Sequence, residues 1–339
     1  MNDKRTTIYD LAEALSISVS YVSKALNNHP SISDKVKEKV KKKATELNYK
    51  HNSQAANLRR GHSRTMGVIV PKINQSFFSE AIAGIEEACW ENNYSLVIYQ
   101  SHETFERERQ GVETLIHQNV DCILISISKE TRATTHFDEI KRNNIAFIQF
   151  DRCTDNYDCL KVTNDNLEST YKAVKHLIGQ DYKRIAFLGG PDHVRVFHDR
   201  KIGFLKAMDE AQISIPYNYI IESNLLMEDG FRYATQLLTS NDPPDAFFAV
   251  ADLLAIGVLD AAEALKINVP ASLGIFGYAN EEYSNFVKPS ISTIDQHSKQ
   301  LGKHAAELFF ASLTNGEAIG TKTEIIESEI VVRKSSRRN

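Results

Sequence analysis

The sequence has no long apolar stretch and few cysteines. No run of about 18 apolar residues occurs in its 339 residues, so no membrane-spanning helix is predicted. The first ten residues, MNDKRTTIYD, contain no apolar core of a secretory signal, so a cytoplasmic protein is expected. The four cysteines form no CxxC pair and no zinc-ligand spacing, and we interpret them as reduced thiols.

The chain also lacks the common catalytic and cofactor motifs. GxSxG, the P-loop, HExxH and GxGxxG are all missing, and Gly189-Gly190-Pro191 is a turn rather than a dinucleotide fingerprint. The eleven histidines are scattered, and His193 and His198 would not share a helix face. We therefore predict no metal, no cofactor and no enzyme.

Charge is divided unevenly along the chain. Residues 1–64 carry thirteen Lys/Arg against six Asp/Glu, a net of +7, whereas the remainder carries 27 against 38, a net of −11. A basic front part on an acidic body indicates that only the front part contacts a polyanion. At this length, two or three domains are expected.

The basic part begins with two short helices joined by a tight turn, TIYDLAEALSISVSYVSKALNN (7–28). Thr7 and Asp10 form a near capping box, and Ser18 can cap the second helix. Val19, Ser20, Ser23 and Lys24 are then expected to face outward near the start of that helix, where a helix-turn-helix contacts base edges. The alternative is a pair of amphipathic helices in any small bundle.

Two further segments favour DNA binding. Ser33 to Leu47 predicts a third helix whose six lysines are expected to contact phosphates, the alternative being a solvated face. In NSQAANLRRG (52–61), Asn52 and Gly61 can cap a helix too short to persist alone, with Leu58 beside two arginines as a minor-groove wedge. The alternative is a plain linker.

From Met66 onwards, short apolar runs alternate with helical patterns, as expected for buried strands of parallel α/β sheets in two lobes. The predicted strands are 66–70, 95–99, 122–126, 146–150, 184–189, 246–250 and 273–278. Ligands of such folds bind at the carboxyl ends of the strands. The residues expected there to bind an effector are Phe77, Phe78, Ser126, Asp151, Arg200, Asp252, Tyr278 and Asn280.

Over nearly its whole length the chain resembles transcription regulators of the lactose-repressor/galactose-repressor family. TIYDLAEALSIS, YVSKALNN, ELNY and NSQAANLRRG match the family headpiece, and HLIGQDYKRIAFLGGP, DRKIGFLKAM and VKPSISTIDQH match its sugar-binding-protein-like body. The resemblance implies an α/β protein with an N-terminal all-α helix-turn-helix headpiece and a two-lobed periplasmic-binding-protein-like parallel-sheet domain. It also implies a homodimer on a pseudo-palindromic double-stranded DNA operator, with no membrane partner.

The resemblance assigns the headpiece to 1–48, a hinge helix to 49–61 and the effector and dimerisation domain to 62–339. Within the body, it implies one lobe of about 62–162 plus 293–322 and another of about 163–292 plus 323–333. Arg200 matches the family's effector-binding arginine. The residues expected to contact DNA are Thr7, Tyr9, Ser18, Val19, Ser20, Tyr21, Ser23, Lys24, Asn27, Ser33, Tyr49, Asn52, Ala55 and Leu58.

The chain departs from the family pattern at several positions. Tyr21 and Lys24 stand at positions where family members more often have Thr and Arg. The base sequence of the operator therefore cannot be inferred from that of a relative. Ala251 and Ala279 stand where many members carry polar residues that bind hydroxyl groups, which disfavours a simple monosaccharide unless Asp252 and Asn280 compensate. A leucine-heptad tail is absent, so a dimer is expected.

The function expected from these features is a DNA-binding regulator, most often a repressor, controlled by a sugar or sugar derivative in carbohydrate metabolism. Induction and co-repression are both compatible with the sequence. One rival is a solute receptor with an accidental basic extension, against which the intact headpiece and the missing signal argue. The other is an α/β enzyme, which would need a nucleophile or cofactor site.

Overall fold

A computed structural model describes residues 6–49, 62–316 and 319–338. The chain divides into two compact units, Met1–Ser63 and Arg64–Asn339. The predicted hinge, 49–61, lies outside the described residues except for Tyr49. Its proposed DNA contacts Asn52, Ala55 and Leu58 are therefore not described.

The described part of the first unit contains three helices: α1 (Ile8–Leu15), α2 (Val19–Leu26) and α3 (Asp34–Glu46). They match the three predicted helices. One apolar cluster, which includes Leu11, Val22 and Val40, packs all three together. Because α1 and α2 are only eight residues each, this shared cluster must supply most of their stability.

The first lobe of the second unit is built on a sheet of six parallel strands in the order β11-β5-β4-β3-β1-β2. Its strands are β1 (Thr65–Val70), β2 (Ser95–Gln100), β3 (Cys122–Ile125), β4 (Ala146–Phe150), β5 (Leu160–Asn164) and β11 (Thr323–Ile326). Its helices are α4 (Ser76–Glu91), α5 (Phe105–His117), α6 (Thr135–Arg142) and α12 (Ser298–Asn315). Two apolar clusters cover the two faces of the sheet.

The second lobe has a parallel four-stranded sheet in the order β7-β6-β8-β9 and one large apolar core. These strands are β6 (Ile185–Gly189), β7 (Ile220–Glu222), β8 (Ala246–Ala249) and β9 (Gly274–Phe276). β10 (Thr293–Asp295) and β12 (Glu329–Val331) form a separate antiparallel pair. The helices are α7 (Asn166–Gly179), α8 (Arg195–Glu210), α9 (Met227–Leu238), α10 (Asp252–Ala264) and α11 (Tyr283–Phe286).

Three segments connect the two lobes, and the buried side chain of Asn164 joins them. Its Nδ2 donates to Gln296 O at 2.9 Å and to Ile326 O at 3.1 Å, and Gln296 Nε2 donates back to Asn164 Oδ1 at 3.1 Å. One amide at the end of β5 is thus hydrogen-bonded to both of the other crossovers.

The lobe boundaries differ from the sequence assignment near the C-terminal end. Residues 323–333 were expected in the second lobe, but 323–326 form β11, which pairs with β5 in the first sheet. Conversely, 293–295 form β10 and pair with β12 rather than belonging to the first lobe. The chain therefore crosses between the lobes after β5, after β10 and after β11.

Candidate functional site

The start of α1 is held by the capping box that the sequence predicts. Thr7 N donates to Asp10 Oδ2 at 2.7 Å, and Asp10 N donates to Thr7 Oγ1 at 3.4 Å. Ser16 ends the helix in the left-handed conformation, with φ 54°. Ser18 Oγ then accepts from Tyr21 N at 3.2 Å and begins α2. Local hydrogen bonds thus determine where the two helices begin.

The buried side of α2 determines which of its residues remain accessible. Val22 and Ala25 are fully buried against α1 and α3. Ser20, Tyr21 and Lys24 are consequently exposed along the opposite side, at the N-terminal part of the helix. This is the arrangement that a recognition helix needs in a major groove.

The other predicted contacts on α2 are less open. Val19 is half-buried and packs against the headpiece cluster, so its side chain is partly committed to the fold. Ser23 is also half-buried, and its carbonyl accepts from Asn27 Nδ2 at 2.8 Å. Asn27 itself is exposed at the end of the helix.

The remaining predicted contacts of the first unit lie at its helix ends. Tyr9 is 70% exposed, and Thr7 is exposed while engaged in the capping box. Ser33 is exposed before α3 and makes no side-chain capping hydrogen bond. Tyr49 is half-buried against the apolar cluster.

The lysines of α3 are partly neutralised within the helix. Lys37 pairs with Asp34 at 2.9 Å and Lys43 pairs with Glu46 at 3.0 Å. The Lys37 ammonium lowers the pKa of the exposed Asp34 carboxyl through a hydrogen bond and its charge. The others are exposed and form no ion pair within the described part of the chain: Lys35, Lys39, Lys41 and Lys42. These four are the positive charges that a phosphate backbone can meet.

In the second unit, a cleft lies between the lobes at the carboxyl ends of the strands. It is lined by six of the eight predicted effector residues: Phe77, Phe78, Asp151, Arg200, Asp252 and Tyr278. The space between the lining side chains is about 70 Å³, which is small beside the roughly 300–1,000 Å³ of typical ligand sites. A metabolite therefore needs the lobes to separate or the side chains to move.

Arg200 on α8 is the best-anchored polar group in the cleft. Its Nε donates to Asn166 Oδ1 and its Nη1 donates to Val250 O, both at 2.9 Å. Its Cζ lies 3.6 Å from the centre of the Tyr278 ring. Tyr278 OH donates to the same Asn166 oxygen at 3.1 Å, which fixes the ring. Arg200 also lines the cleft, where its guanidinium can donate to a ligand oxygen.

Asp151 and Ser126 form one unit on the first-lobe side. Asp151 is a left-handed residue, with φ 55°, directly after β4. Its Oδ2 accepts from Ser126 Oγ at 3.1 Å. Burial raises the pKa of Asp151, although Arg152 and Arg200 oppose this. Ser126 is fully buried behind Asp151, so it orients the carboxylate rather than lining the cleft.

On the second-lobe side, the side chains of Asp252 and Asn280 already form hydrogen bonds with other groups of the protein. Asp252 accepts from Thr293 Oγ1 at 2.7 Å and from Glu281 N at 2.8 Å. Asn280 donates to Asp295 Oδ2 at 3.0 Å and accepts from Arg333 Nη2 at 2.6 Å, and it does not line the cleft. These two polar side chains therefore do not compensate for Ala251 and Ala279.

Three charged residues of the cleft region were not singled out from the sequence: Arg152, Glu103 and Glu281. Arg152 lines the cleft, and its Nη1 donates to both carboxylate oxygens of Glu103, at 3.0 and 2.8 Å. Its position directly after Asp151 at a strand end was an available signal. Glu103 lies 49 residues earlier in a separate loop, and no local pattern marks it.

Direct contacts also join the lobes beside the cleft. His193 Nε2 donates to Lys129 O at 2.6 Å, and Ser76 N donates to a carboxylate oxygen of Glu281 at 3.3 Å. Arg195 forms an ion pair with Asp155. Each contact joins a loop of one lobe to the other, so the lobes are closed in this structure.

Comparison with known proteins identifies the family. Residues 7–52 match the family described as bacterial regulatory proteins, lacI family, and residues 174–336 match a periplasmic binding protein-like domain. The HTH-type transcriptional repressor CytR of Escherichia coli K12 is 30% identical over 334 residues, which cover 98% of this chain and 96% of that repressor. This chain belongs to the lacI family of bacterial regulatory proteins.

Other lacI-family proteins are similar over the same extent. The ribose operon repressor of Haemophilus influenzae is 29% identical over 329 residues, covering 97% of this chain and 98% of that protein. A crystal structure of the lac repressor dimer bound to operator and the anti-inducer ONPF aligns with a TM-score of 0.86, at 24% identity, over 99% of this chain and all of that one. The structural similarity confirms the predicted fold.

The family membership determines the class of function. As a lacI-family member, this chain is a DNA-binding transcriptional regulator with a small-molecule-binding domain, and it is not an enzyme. This confirms the prediction made from the headpiece and the parallel sheets. Among the described residues, no helix combines the length and the apolar character needed to cross a bilayer.

Proposed function

We propose that the first unit contacts operator DNA through the exposed side of α2, in a cytoplasmic homodimer whose affinity for an inverted-repeat operator changes when a sugar-like metabolite binds between the lobes. The observation that carries the DNA-binding part is the accessible row of Ser20, Tyr21 and Lys24. These residues stay accessible because Val22 and Ala25 fix the opposite side of the helix in the core.

The proposed DNA contacts fall into two groups. Ser20 and Tyr21 are the candidates for base readout, because they lie near the start of α2. Lys24 and the unpaired lysines of α3 are candidates for phosphate contacts, which set affinity without sequence preference. Leu58 is proposed, from its sequence context alone, to wedge into the minor groove.

The second lobe offers a surface for the homodimer. Leu226, Met227 and Phe231 lie at the start of α9 and are exposed by 38–44%. α9 packs closely on α10, since a Cβ at Gly257 would lie 2.1 Å from Met227 O. Adjacent exposed apolar residues on packed helices are typical of an association surface. The solved lac repressor is a dimer, which supports the same assembly here.

The cleft is proposed as the effector site because it combines an anchored arginine, a carboxylate and aromatic rings between two lobes. A metabolite can control DNA binding only if it binds the closed and open arrangements with different affinities. Asn164, which joins all three crossovers, lies where a change of lobe angle must be accommodated. Segment 49–61 is proposed to transmit that change to the DNA.

A binding assay with the full chain tests the DNA-binding part. Genomic fragments that contain inverted repeats are titrated with wild type, Lys24→Gln and the control Lys141→Gln, an exposed lysine on α6. Lys24→Gln should weaken binding and reduce the salt dependence by about one phosphate contact, that is by about 0.9 log units per log unit of salt. Equal binding by the wild type and Lys24→Gln would refute the assignment of Lys24. No preference for any inverted repeat over random duplex would refute the proposed function.

A further inference from the structure

A buried carboxylate behind the cleft wall holds one of the two arginines of the cleft. Glu103 is 8% exposed and left-handed, with φ 64°. Besides Arg152, it accepts from the Lys129 backbone N–H at 3.0 Å. Burial opposes ionisation, but the Arg152 guanidinium and these hydrogen bonds lower the pKa of Glu103 overall. The carboxylate is therefore ionised at neutral pH and neutralises Arg152.

Arg152 occupies the slot between two aromatic rings that belong to different lobes. Its Cζ lies 5.7 Å from the centre of the Phe78 ring and 5.4 Å from that of Phe197. Arg152 is only 5% exposed. The Phe197 ring is fixed in turn, because it packs on Gly190, where a Cβ would approach it to 2.8 Å. Without Glu103, the cleft would contain an uncompensated and largely desolvated cation.

The second arginine of the cleft, Arg200, also has a carboxylate in its surroundings. Arg152 and Arg200 both favour the ionised form of Asp151, against the effect of burial, which raises its pKa. Two further acidic residues, Asp252 and Glu281, also line the cleft. With Glu103 behind the wall, the carboxylates Asp151, Glu103 and Glu281 outnumber the two guanidinium groups, so the cleft offers no net positive charge to an anionic ligand.

Much of the remaining cleft wall is aliphatic or aromatic. Val196, Phe197, Leu225, Leu253 and Tyr283 line it, together with Phe77 and Phe78 of the first lobe. The polar groups able to meet ligand hydroxyls include Asp151, Arg200 and two glutamines of the wall, Gln75 and Gln296. A ligand that fills this cleft thus needs both hydroxyl groups and an apolar or flat group.

The geometry points to an uncharged effector in which a hydroxylated ring carries an apolar or planar group, such as a nucleoside or an aryl glycoside. Glu103 is then the positioning residue that disfavours the binding of phosphorylated and acidic analogues. This inference rests on the proposed effector site and narrows its ligand class. It requires no direct contact between Glu103 and the ligand, because the carboxylate acts by neutralising Arg152.

Calorimetric titration of the full-length wild type tests the ligand class. The probes are matched sets: ribonucleosides with their 5′-monophosphates, phenyl glycosides with their 6-phosphates, and free ribose, glucose and galactose. In at least one set, the uncharged parent should bind at least about tenfold more tightly than both its phosphate and its free sugar. The phosphate meets no net positive charge in the cleft, and the free sugar lacks the apolar or planar group. A phosphate or a free sugar that binds as tightly as the uncharged parent would overturn the inference.

Variants of the charge pair test the role of Glu103. Glu103→Gln should increase the affinity for the phosphate relative to its parent by about tenfold or more, whereas a purely structural defect would weaken both alike. The double variant Glu103→Gln/Arg152→Gln should restore the wild-type ratio. If Glu103→Gln does not fold, Arg152→Gln alone leaves the acid uncompensated and should lower the affinity for the phosphate below that of wild type. A wild-type ratio in either single variant, or a ratio in the double variant that stays as high as in Glu103→Gln, contradicts the assignment.

The inference and the proposed function can fail separately. If no compound of the panel binds, but a fraction of small metabolites changes operator affinity, the ligand class is wrong and the effector site stands. If no small molecule changes operator affinity, the proposed control by an effector is wrong as well.

Discussion

The buried carboxyl of Asp252 makes the stability of the second lobe depend on pH. Asp252 is 1% exposed, and burial raises its pKa from 3.8 to about 7, although Thr293 and the Glu281 amide donate hydrogen bonds to it. In the unfolded chain an aspartate titrates near its ordinary pKa of about 3.9. Between these two values, the folded protein keeps a proton that the unfolded chain has lost.

The sign and the magnitude follow from this difference. Because the folded state binds more protons, the free energy of unfolding falls as the pH rises from about 4 to about 7, and the contribution is lost above that range. A tenfold difference in proton affinity corresponds to about 1.4 kcal/mol, so this group should cost the folded state about 3 kcal/mol between pH 5 and pH 8. Asp252→Asn has nearly the same shape, can still bond Thr293 and Glu281, and does not titrate.

Calorimetric melting of the full chain at pH 5, 6, 7 and 8 measures the effect. The difference in Tm, Asp252→Asn minus wild type, should increase by roughly 6 °C from pH 5 to pH 8. Asp209→Asn on α8 is the control, because Asp209 is exposed. Parallel profiles of wild type and Asp252→Asn would refute the reasoning, since Asp252 would then be ionised in the folded state throughout.

Three further predictions concern the two units separately. Leu11→Ala removes a fully buried side chain of the headpiece cluster and should destabilise the first unit by about 3 kcal/mol. Operator binding should then be lost, while the melting transition of the second unit stays unchanged. Loss of that transition as well would contradict the prediction. Gly277→Ala would place a Cβ 2.1 Å from Asp252 Oδ1. It should destabilise the second unit by about 1–3 kcal/mol and lower its Tm by several degrees. The control Gly179→Ala, where nothing lies within 4 Å of the added Cβ, should leave the Tm unchanged, and equal Tm values for the two variants would contradict the close contact. Arg200→Met should weaken effector binding about 100-fold or more in calorimetric titration while operator binding without effector stays at the wild-type level, and undiminished effector binding would remove Arg200 from the site.

The parts of the fold that follow local rules could be predicted from the sequence. Thr7, Asp10 and Ser18 determine the helix starts through short-range hydrogen bonds, so the capping pattern alone located α1 and α2. Strands buried on both faces, such as β3 and β8, are continuous apolar runs and were recognised as such. Both kinds of signal depend only on neighbouring residues.

Other elements depend on pairing that the local sequence does not show. In β5, the half-buried Lys161 and Thr163 alternate with buried residues, so LKVTN contains no apolar run. β7 has only three residues and lies at a sheet edge. β11 belongs to the first lobe because it pairs with β5, a partner about 160 residues away.

The candidate site shows the same division. Strand ends are local features, so Asp151, Arg200 and Tyr278 could be assigned to one cleft from the α/β pattern and the family resemblance. Asn280 was placed there for the same reason, but Asp295 and Arg333 hold its side chain outside the cleft. The role of Glu103 depends on a tertiary ion pair, which no local pattern encodes.

The most direct test of ligand-controlled DNA binding is the operator affinity of the full chain, measured by fluorescence anisotropy with and without a saturating effector at one fixed salt concentration. The account predicts that the effector changes this affinity by about fivefold or more, and that the operator changes the affinity for the effector by the same factor. An operator affinity that is the same with and without bound effector would contradict it.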